Sequence, residues 1–338
     1  MRQAIMTAPG RIELREAPTP APGPEEVLLR IRRIGVCGSD VHVCHGRHPY
    51  TSYPVVQGHE FSAVVEAVGA NVTSIGPGAK VTALPQVVCG QCRPCRRGDY
   101  HICDALKVQG FQAPGCAQEF FVTLADKLVP LPDTFSFEQG ALVEPVAVAV
   151  HSVGRAGNVA DRNVVVLGAG PIGNFVAQVA RAEGARVLIT DVSDFRLDVC
   201  RRCCLEKTSN AREESLATAS KRVFGKDGFD IAFECVGLEA TMTLAVATVG
   251  KGGTIIVVGV FADKPRLDLG LVQDRELRLI GTLMYQRADY QRAIELIASG
   301  RVITEPLDSR HFPFNDYLKA YSFIDQQGEK SMKVFIDL

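Results

Sequence analysis

Tryptophan is absent from this 338-residue chain, and aromatic residues reach only 7% of it. That leaves little for the stacking platforms on which single-stranded nucleic acids are bound. Charge of one sign is missing too. The 37 Lys and Arg face 38 Asp and Glu, a net charge of −1, so neither nucleic acid nor an anionic membrane surface has an electrostatic argument. No apolar run approaches the ~18 residues of a spanning helix. There is no charged-then-apolar leader, no internal repeat and no low-complexity tract. These absences set the expectation of a cytoplasmic enzyme with no nucleic-acid or membrane partner. The length suffices for two domains with substantial cores. Cysteine is not lacking: eleven are present. An odd count in a leaderless chain fits poorly with a disulfide framework, which makes metal ligation the better reading.

The chain is organised around Val164–Asp191. The β-branched run Val164–Leu167 reads as a buried parallel strand. Gly168, Gly170 and Gly173 then fit G-x-G-x-x-G, with Pro171 and Ile172 opening a helix whose apolar residues (Ile172, Phe175, Val176, Val179) recur at helical spacing. Gly184 is a helix stop, and a second strand, Arg186–Thr190, ends at Asp191. Glycines alone are weak; with strand, turn, helix, strand and terminal acid in one ~30-residue unit they make a dinucleotide fingerprint. The bland alternative is a glycine-rich turn beside an unrelated surface Asp. Backbone N–H groups at a helix N-terminus suit a pyrophosphate, and Asp191 suits both ribose hydroxyls while repelling a 2′-phosphate. NAD is therefore expected over NADP, with nearby Arg196 the residue that would soften the preference. Val236, Val258 and Val260 complete the expected cofactor contacts.

Two sets of metal ligands precede this unit. Cys89, Cys92, Cys95 and Cys103 put four thiols within fifteen residues, enough to close a tetrahedral zinc site and leave it chemically inert. The alternatives are free thiols in a loop, which would be an oxidation liability, or a zinc ribbon for nucleic acid, which lacks aromatics and a basic domain. Arg93, Arg96 and Arg97 read as a solvated face. The second set is dispersed: Cys37, His59, Glu60 and Glu144. Each alone is more often structural; together they are a catalytic-type zinc set with a position left open, and Glu60 or Glu144 serves either as ligand or through water. Cys200-x2-Cys203-Cys204 resembles a redox pair, but it lies in a helix-like stretch where packing is the simpler role, and Cys44, Cys116 and Cys235 are read likewise.

Elsewhere Arg2–Thr7, Arg11–Glu16 and Glu26–Ile34 read as strands, and Pro18–Pro24 as a loop. After Asp191, strands are expected at Phe229–Glu234, Thr254–Val260 and Leu279–Met284, and helices at Glu239–Val249 and Asp289–Ala298. The strand Lys333–Asp337 is expected to return to the first domain.

With these residues placed, the chain resembles the zinc-dependent medium-chain dehydrogenases of the alcohol dehydrogenase superfamily over its whole length. Within them it is most similar to the sorbitol, threonine and sugar-acid branch, L-galactonate- and L-idonate-like enzymes included. The resemblance implies an α/β protein: a GroES-like β-rich catalytic domain (1–146, both zinc sites), a Rossmann doubly wound parallel-sheet domain (147–284, NAD) and a return segment (285–338), with the cleft between the two domains. It implies catalytic-zinc positions at Cys37, His59 and Glu60, with Glu144 where liver-type enzymes place a cysteine. Structural zinc falls on the four-cysteine lobe, a proton relay on Ser39 and His42, and the assembly is a homo-oligomer, dimer or tetramer. A zinc Lewis acid lowers the pKa of a bound hydroxyl, from ~15.7 to ~7 for water, and the carbinol hydride passes to the nicotinamide. Two positions depart from the family pattern. Ala63 stands at the last glycine of G-H-E-x-x-G, and Met284-Tyr285 replaces the Arg-Tyr pair of animal sorbitol dehydrogenases.

The expected activity is hydride transfer between NAD and a secondary alcohol of a polyol, cyclitol or sugar acid. The polar loop Arg47–Tyr53 is read as a source of hydroxyl-binding groups, or else as solvated surface. Competing readings are an L-threonine 3-dehydrogenase-like amino-alcohol enzyme, a zinc-free NADPH quinone or enoyl reductase, and a non-catalytic nucleotide- or nucleic-acid-binding protein. Cys37, His59, Glu144 and Asp191 together argue against the reductase.

Overall fold

The structure, a computed structural model, describes residues 1–338 and divides into two compact units. The first comprises Met1–Glu144, Gln286–Ile294 and Asp308–Leu338. At its heart the strand Glu26–Gly35 pairs antiparallel with Glu60–Val68, Phe120–Leu124 and Lys333–Asp337 inside a seven-stranded sheet. Asp308–Pro313 runs parallel to Lys333–Asp337 along one edge. Leu29, Ile31, Ile34, Phe61, Val65 and Val334 form one apolar cluster with Tyr317 and Tyr321 of the helix Tyr317–Gln327. Each such side chain contributes roughly 1.5–3 kcal/mol relative to exposure. The expected return strand Lys333–Asp337 is present and joins the strand beside the first metal ligand.

The second unit comprises Pro145–Tyr285 and Glu295–Leu307. Its six strands are all parallel and stand in the order Thr208–Asn210, Arg186–Asp191, Asn163–Leu167, Ile231–Glu234, Thr254–Val257, Arg278–Gly281. In chain order that is the 3-2-1-4-5-6 arrangement of dinucleotide-binding sheets. The strands Asn163–Leu167 and Ile231–Glu234 are buried throughout, as a sheet covered on both faces requires. Glu295–Leu307 is held here by Gln178. Its Nε2 donates to the Ile303 carbonyl at 3.0 Å and its Oε1 accepts from the Ile303 amide at 2.7 Å. The sequence expectation drew boundaries at 146 and 284; the compact units divide after Glu144 and after Tyr285.

Several elements differ from expectation for identifiable reasons. The last sheet strand is Arg278–Gly281 rather than Leu279–Met284; it ends at Gly281, and Met284, with a positive φ of 52°, is not extended. The helix Phe137–Arg155 was not anticipated: Gly140, Pro145 and Gly154 lie inside it, and such residues read as breakers. Thr208–Asn210 was missed because a three-residue polar strand carries no periodicity.

Candidate metal centres and dinucleotide site

The dispersed metal set is assembled by register in the first unit. Gly35 stands opposite Glu60 across the central antiparallel pair, and Phe335 stands opposite Gly35 on the other side. The chain turns just beyond Gly35, where Cys37 takes the N-cap position of the helix Gly38–Cys44. Strand ends carrying Cys37, His59–Glu60 and Lys333 are thereby brought together. Donor atoms of Cys37, His59 and Glu60 lie within 4.8 Å of one another, and His59, Glu60 and Glu144 are all buried.

Two residues that sequence reasoning missed complete this charge cluster. Asp40, 2% exposed, accepts the Cys37 amide at 3.0 Å through Oδ2, and its Oδ1 faces His59 Nδ1 at 3.6 Å. Neither Oδ1 nor Nδ1 has a hydrogen-bond partner in the protein. This is the carboxylate–histidine arrangement that orients a metal-ligating imidazole and leaves Nε2 for the metal. Burial alone would depress His59, but Asp40, then Cys37 and Glu144, outweigh it and hold the imidazole well above its ordinary pKa. Lys333, 3% exposed, donates to Glu60 at 2.6 Å. Burial opposes its charge, and Glu60 foremost restores and raises it, with Glu144 contributing. The signal for Asp40 was available: an acid three residues after an N-cap is a capping position. Lys333 gave none, because its partner lies 273 residues away.

These groups fit a zinc ion of the open type. Thiolate, imidazole and carboxylate are its ligand classes, and a buried cluster this rich in carboxylates is better balanced with a divalent cation than without one. Glu60 shares its charge with Lys333; Glu144, on the helix Phe137–Arg155, acts on both His59 and Lys333. Ser39 and His42 fall at i and i+3 of the helix Gly38–Cys44, half-buried and exposed respectively. They therefore occupy one side of it, apart from buried Asp40.

The second set is compact. Cys103 Sγ lies 3.5 Å from Cys89 Sγ and 3.8 Å from Cys92 Sγ, and all four sulfurs lie within 4.8 Å of one another without a disulfide. A zinc with four thiolates at ~2.3 Å sets sulfur separations of ~3.8 Å, so the lobe has the shape of a closed tetrahedral site. The amides of Gln91 and Cys92 lower Cys89 to about 6, whereas burial, then its sister thiols, push Cys95 up to about 12. Arg96 and Arg97 bond back to the Gln91 carbonyl and to Asp99. Elsewhere, Cys200 and Cys203 are fully buried thiols, pushed up to about 12 and about 11 chiefly by burial. Asn174 donates to Cys200 at 3.2 Å.

In the second unit, a Cβ on Gly173 would run into the Gly168 carbonyl, so that glycine serves close packing of helix on strand. Gly170 is different. A Cβ there would meet nothing nearer than Arg196 Nη1 at 4.0 Å, so its absence leaves an open cradle at the N-terminus of the helix Pro171–Ala182, where backbone amides favour a phosphate. Asp191 is buried and shaped by the chain: Oδ2 accepts from Ala169 at 2.6 Å and Oδ1 from Ser193 at 2.9 Å. Arg196 stands 3.9 Å from it. Val236 follows the strand Ile231–Glu234, and Val258 and Val260 follow Thr254–Val257, at the strand ends where such sheets bind ligands. Glu234, also missed, is a buried carboxylate that accepts the Val236 and Gly237 amides at 3.0 and 2.9 Å and the Thr241 hydroxyl at 2.7 Å. It fixes the loop that carries Val236.

The loop Arg47–Tyr53 is divided. Tyr50 is 76% exposed, and Tyr53 spends its hydroxyl on the Val43 carbonyl. His48 is half-buried and bonded to Thr51. Burial first, then His42 and His59, lower its pKa. Tyr285 is fully buried.

Residues 23–133 match the alcohol dehydrogenase GroES-like domain, and residues 171–299 match the zinc-binding dehydrogenase domain. The chain is 36% identical to a 2-dehydro-3-deoxy-L-galactonate 5-dehydrogenase of Pseudoalteromonas atlantica, with 92% of each chain covered. It is 33% identical to sorbitol dehydrogenase 2 of Saccharomyces cerevisiae over 98% of this chain and 96% of that one. A zinc-binding dehydrogenase of Sinorhizobium meliloti 1021, solved with NADP bound, superposes with a TM-score of 0.93 at 28% identity, covering 100% of this chain and 99% of the other.

Proposed function

The chain belongs to the zinc-binding alcohol dehydrogenase family, and on that premise we propose that it transfers a hydride between NAD and a secondary alcohol of a polyol, cyclitol or sugar acid. The observation that carries the reading is the convergence of Cys37, His59 and Glu60 within 4.8 Å, backed by Asp40 and Lys333, in a chain that also presents the glycine cradle and Asp191. Zinc held there supplies a Lewis acid that lowers the pKa of an alcohol hydroxyl by several units. Cys37 and His59 hold the metal, with Glu60 or Glu144 as the carboxylate partner. Asp40 keeps the His59 ring in its ligating orientation, and Lys333 offsets the charge of Glu60. Ser39 would accept the hydroxyl proton as it passes its own through a cofactor ribose hydroxyl to His42, which, being exposed, releases a proton to solvent. Asp191 bonds the adenosine ribose. The carboxylates and the relatives acting on L-galactonate derivatives and sorbitol favour hydrophilic substrates.

A panel of polyols, aldonates, cyclitols and amino alcohols, each with NAD and read at the nicotinamide absorbance, tests the proposal. Turnover of a hydroxylated substrate well above that of 1-butanol is expected; comparable kcat/KM for the two would sink it. No helix is long and apolar enough to cross a membrane, and a cytoplasmic homo-oligomer, dimer or tetramer, belongs to the same proposal on family likeness. Light scattering that gave a monomer would refute the assembly.

A further inference from the structure

Beside the metal ligands, in the same unit, three side chains make an arrangement that the chemistry above does not use. His48 and Phe111 are stacked with ring centroids 4.7 Å apart and planes within 10°. The same Phe111 ring lies 4.9 Å from the His59 ring, tilted by 45°. Phe111 therefore stands between the metal-ligating imidazole and a second imidazole. Thr51 Oγ1 is 2.8 Å from His48 Nδ1, three residues along the loop. The ring is thus held on one face by an aromatic wall and on one edge by a hydroxyl, while Nε2 carries no bond to the protein. Surface histidines are seldom fixed at both face and edge, because ordering a side chain costs entropy that a bare surface does not return. A half-buried, oriented ring with one nitrogen left over is the form a recognition group takes.

We propose that His48 is a specificity-determining residue. Its Nε2, oriented through Thr51 and Phe111, hydrogen-bonds an oxygen of the substrate remote from the carbinol being oxidised. The inference rests on the dehydrogenase reading and narrows its substrate class. The ligand is a hydroxylated carbon chain long enough to pass along Phe111 from the metal to His48, with a hydroxyl or carboxylate at the far position. When the Thr51 hydroxyl donates into Nδ1, Nε2 carries the hydrogen and donates; in the other tautomer Nδ1 donates to Thr51 and Nε2 accepts, and a substrate hydroxyl satisfies either. Phe111, 8% exposed, offers only its rim as an apolar edge for the carbon backbone, so an alcohol of two to four carbons would reach that edge and leave Nε2 unsatisfied. Polar sites discriminate in this way, by leaving their own groups unpaired when the wrong ligand binds. Of the loop read from sequence as hydroxyl-binding, only His48 and Thr51 are held in this way; Tyr53 is structural, and Tyr50, 76% exposed, meets the His48 ring edge-on at 6.2 Å.

The test uses the zinc-loaded full chain and two substrates with NAD: the best polyol or aldonate from the panel, and 2-propanol. His48→Ala is expected to raise KM for the long substrate by roughly tenfold, the scale of one lost hydrogen bond, with kcat and the 2-propanol kcat/KM little changed. His48→Gln, which restores a donor near the Nε2 position, is expected to recover part of the loss, and Thr51→Val to reproduce part of it. Zinc content and melting temperature of each variant show whether the site is intact. Equal losses on both substrates would make His48 a structural support of Phe111 and overturn the proposal, as would no loss on either. A wild-type chain that turned over no polyol or aldonate better than 2-propanol would instead overturn the functional reading itself, a result visible before any variant is made.

Discussion

At the scale of single residues, the sharpest distinction lies between groups whose chemistry is announced by a local motif and groups that matter only through a distant partner. Asp191 is of the first kind: a strand-terminal acid ~20 residues after a glycine turn is readable without coordinates. The structure adds that its oxygens already accept two backbone amides and that Arg196 stands 3.9 Å away. Replacing Asp191 by Ala is expected to raise KM for NAD and narrow the gap to NADP, because Arg196 would then face a 2′-phosphate without the opposing carboxylate. Steady-state kinetics with both cofactors measure this; a wild type that prefers NADP would show the arginine to dominate. Asp40 is of the second kind. Burial first, with Glu60, pushes its pKa up, against the lowering by His59, the Cys37 amide and Lys333, and leaves it raised above the ordinary carboxylate value. Its role follows from facing His59 Nδ1 with no hydrogen-bond partner in the protein for that oxygen. Asp40→Asn is expected to weaken zinc affinity about 10–100-fold, the usual effect of removing a group that orients a ligand. Competition with a chromophoric chelator reads this directly, and unchanged affinity would reduce Asp40 to a helix cap.

Among elements, legibility followed local repetition. The strands Asn163–Leu167 and Arg186–Asp191 and the helix between them carry their period and their turn chemistry in a continuous stretch, and they stand where expected. The helix Phe137–Arg155 was hidden because burial of Ala141, Leu142, Val143 and Val146 overrides the breakers within it. Edge pairing was equally invisible. The parallel pair Asp308–Pro313 and Lys333–Asp337 is joined by His311, whose Nε2 and Nδ1 lie 2.7 and 2.8 Å from Asp308 and Asp337. Arg33, from the central strand, also pairs with Asp337, and with Glu138 at 2.5 Å. Burial lowers the imidazole pKa, but the bonds to Asp308 and Asp337 and their charges leave it raised above 6.5. A group bound more tightly as the cation in the folded state contributes its full stabilisation below the unfolded value, and loses it as pH rises through the folded one. The melting temperature of His311→Gln is therefore expected to fall short of wild type most at pH below 6.5, with the deficit shrinking as pH is raised above that value. A deficit constant across pH would mean that packing against Phe335, 5.2 Å away, rather than charge, is what His311 supplies.

For the whole molecule, the two metal sets divide into one that serves chemistry and one that serves the fold. They differ in closure. Four sulfurs within 4.8 Å of one another leave no position for substrate. Cys37 and His59 with carboxylates leave one, and that cluster is embedded in a network running from Asp40 to Lys333. The four-cysteine lobe has little apolar material of its own: Cys103 and His101 are buried, while Cys89, Gly90 and Gln91 are exposed. Its shape must come from the metal, and binding free energy at such a site is folding free energy. Elemental analysis of purified protein is therefore expected to give two zinc ions per chain. Cys37→Ala, which breaks the open site, should retain about one zinc and a near-native melting temperature while turnover is abolished. Cys92→Ala should also retain about one zinc, but with a lowered melting temperature and activity that survives at temperatures where the chain stays folded. The two variants exchange the property they keep, so equal loss of stability in both would show that the sites are not separable. A zinc content near zero in active wild-type protein would end the metal mechanism altogether.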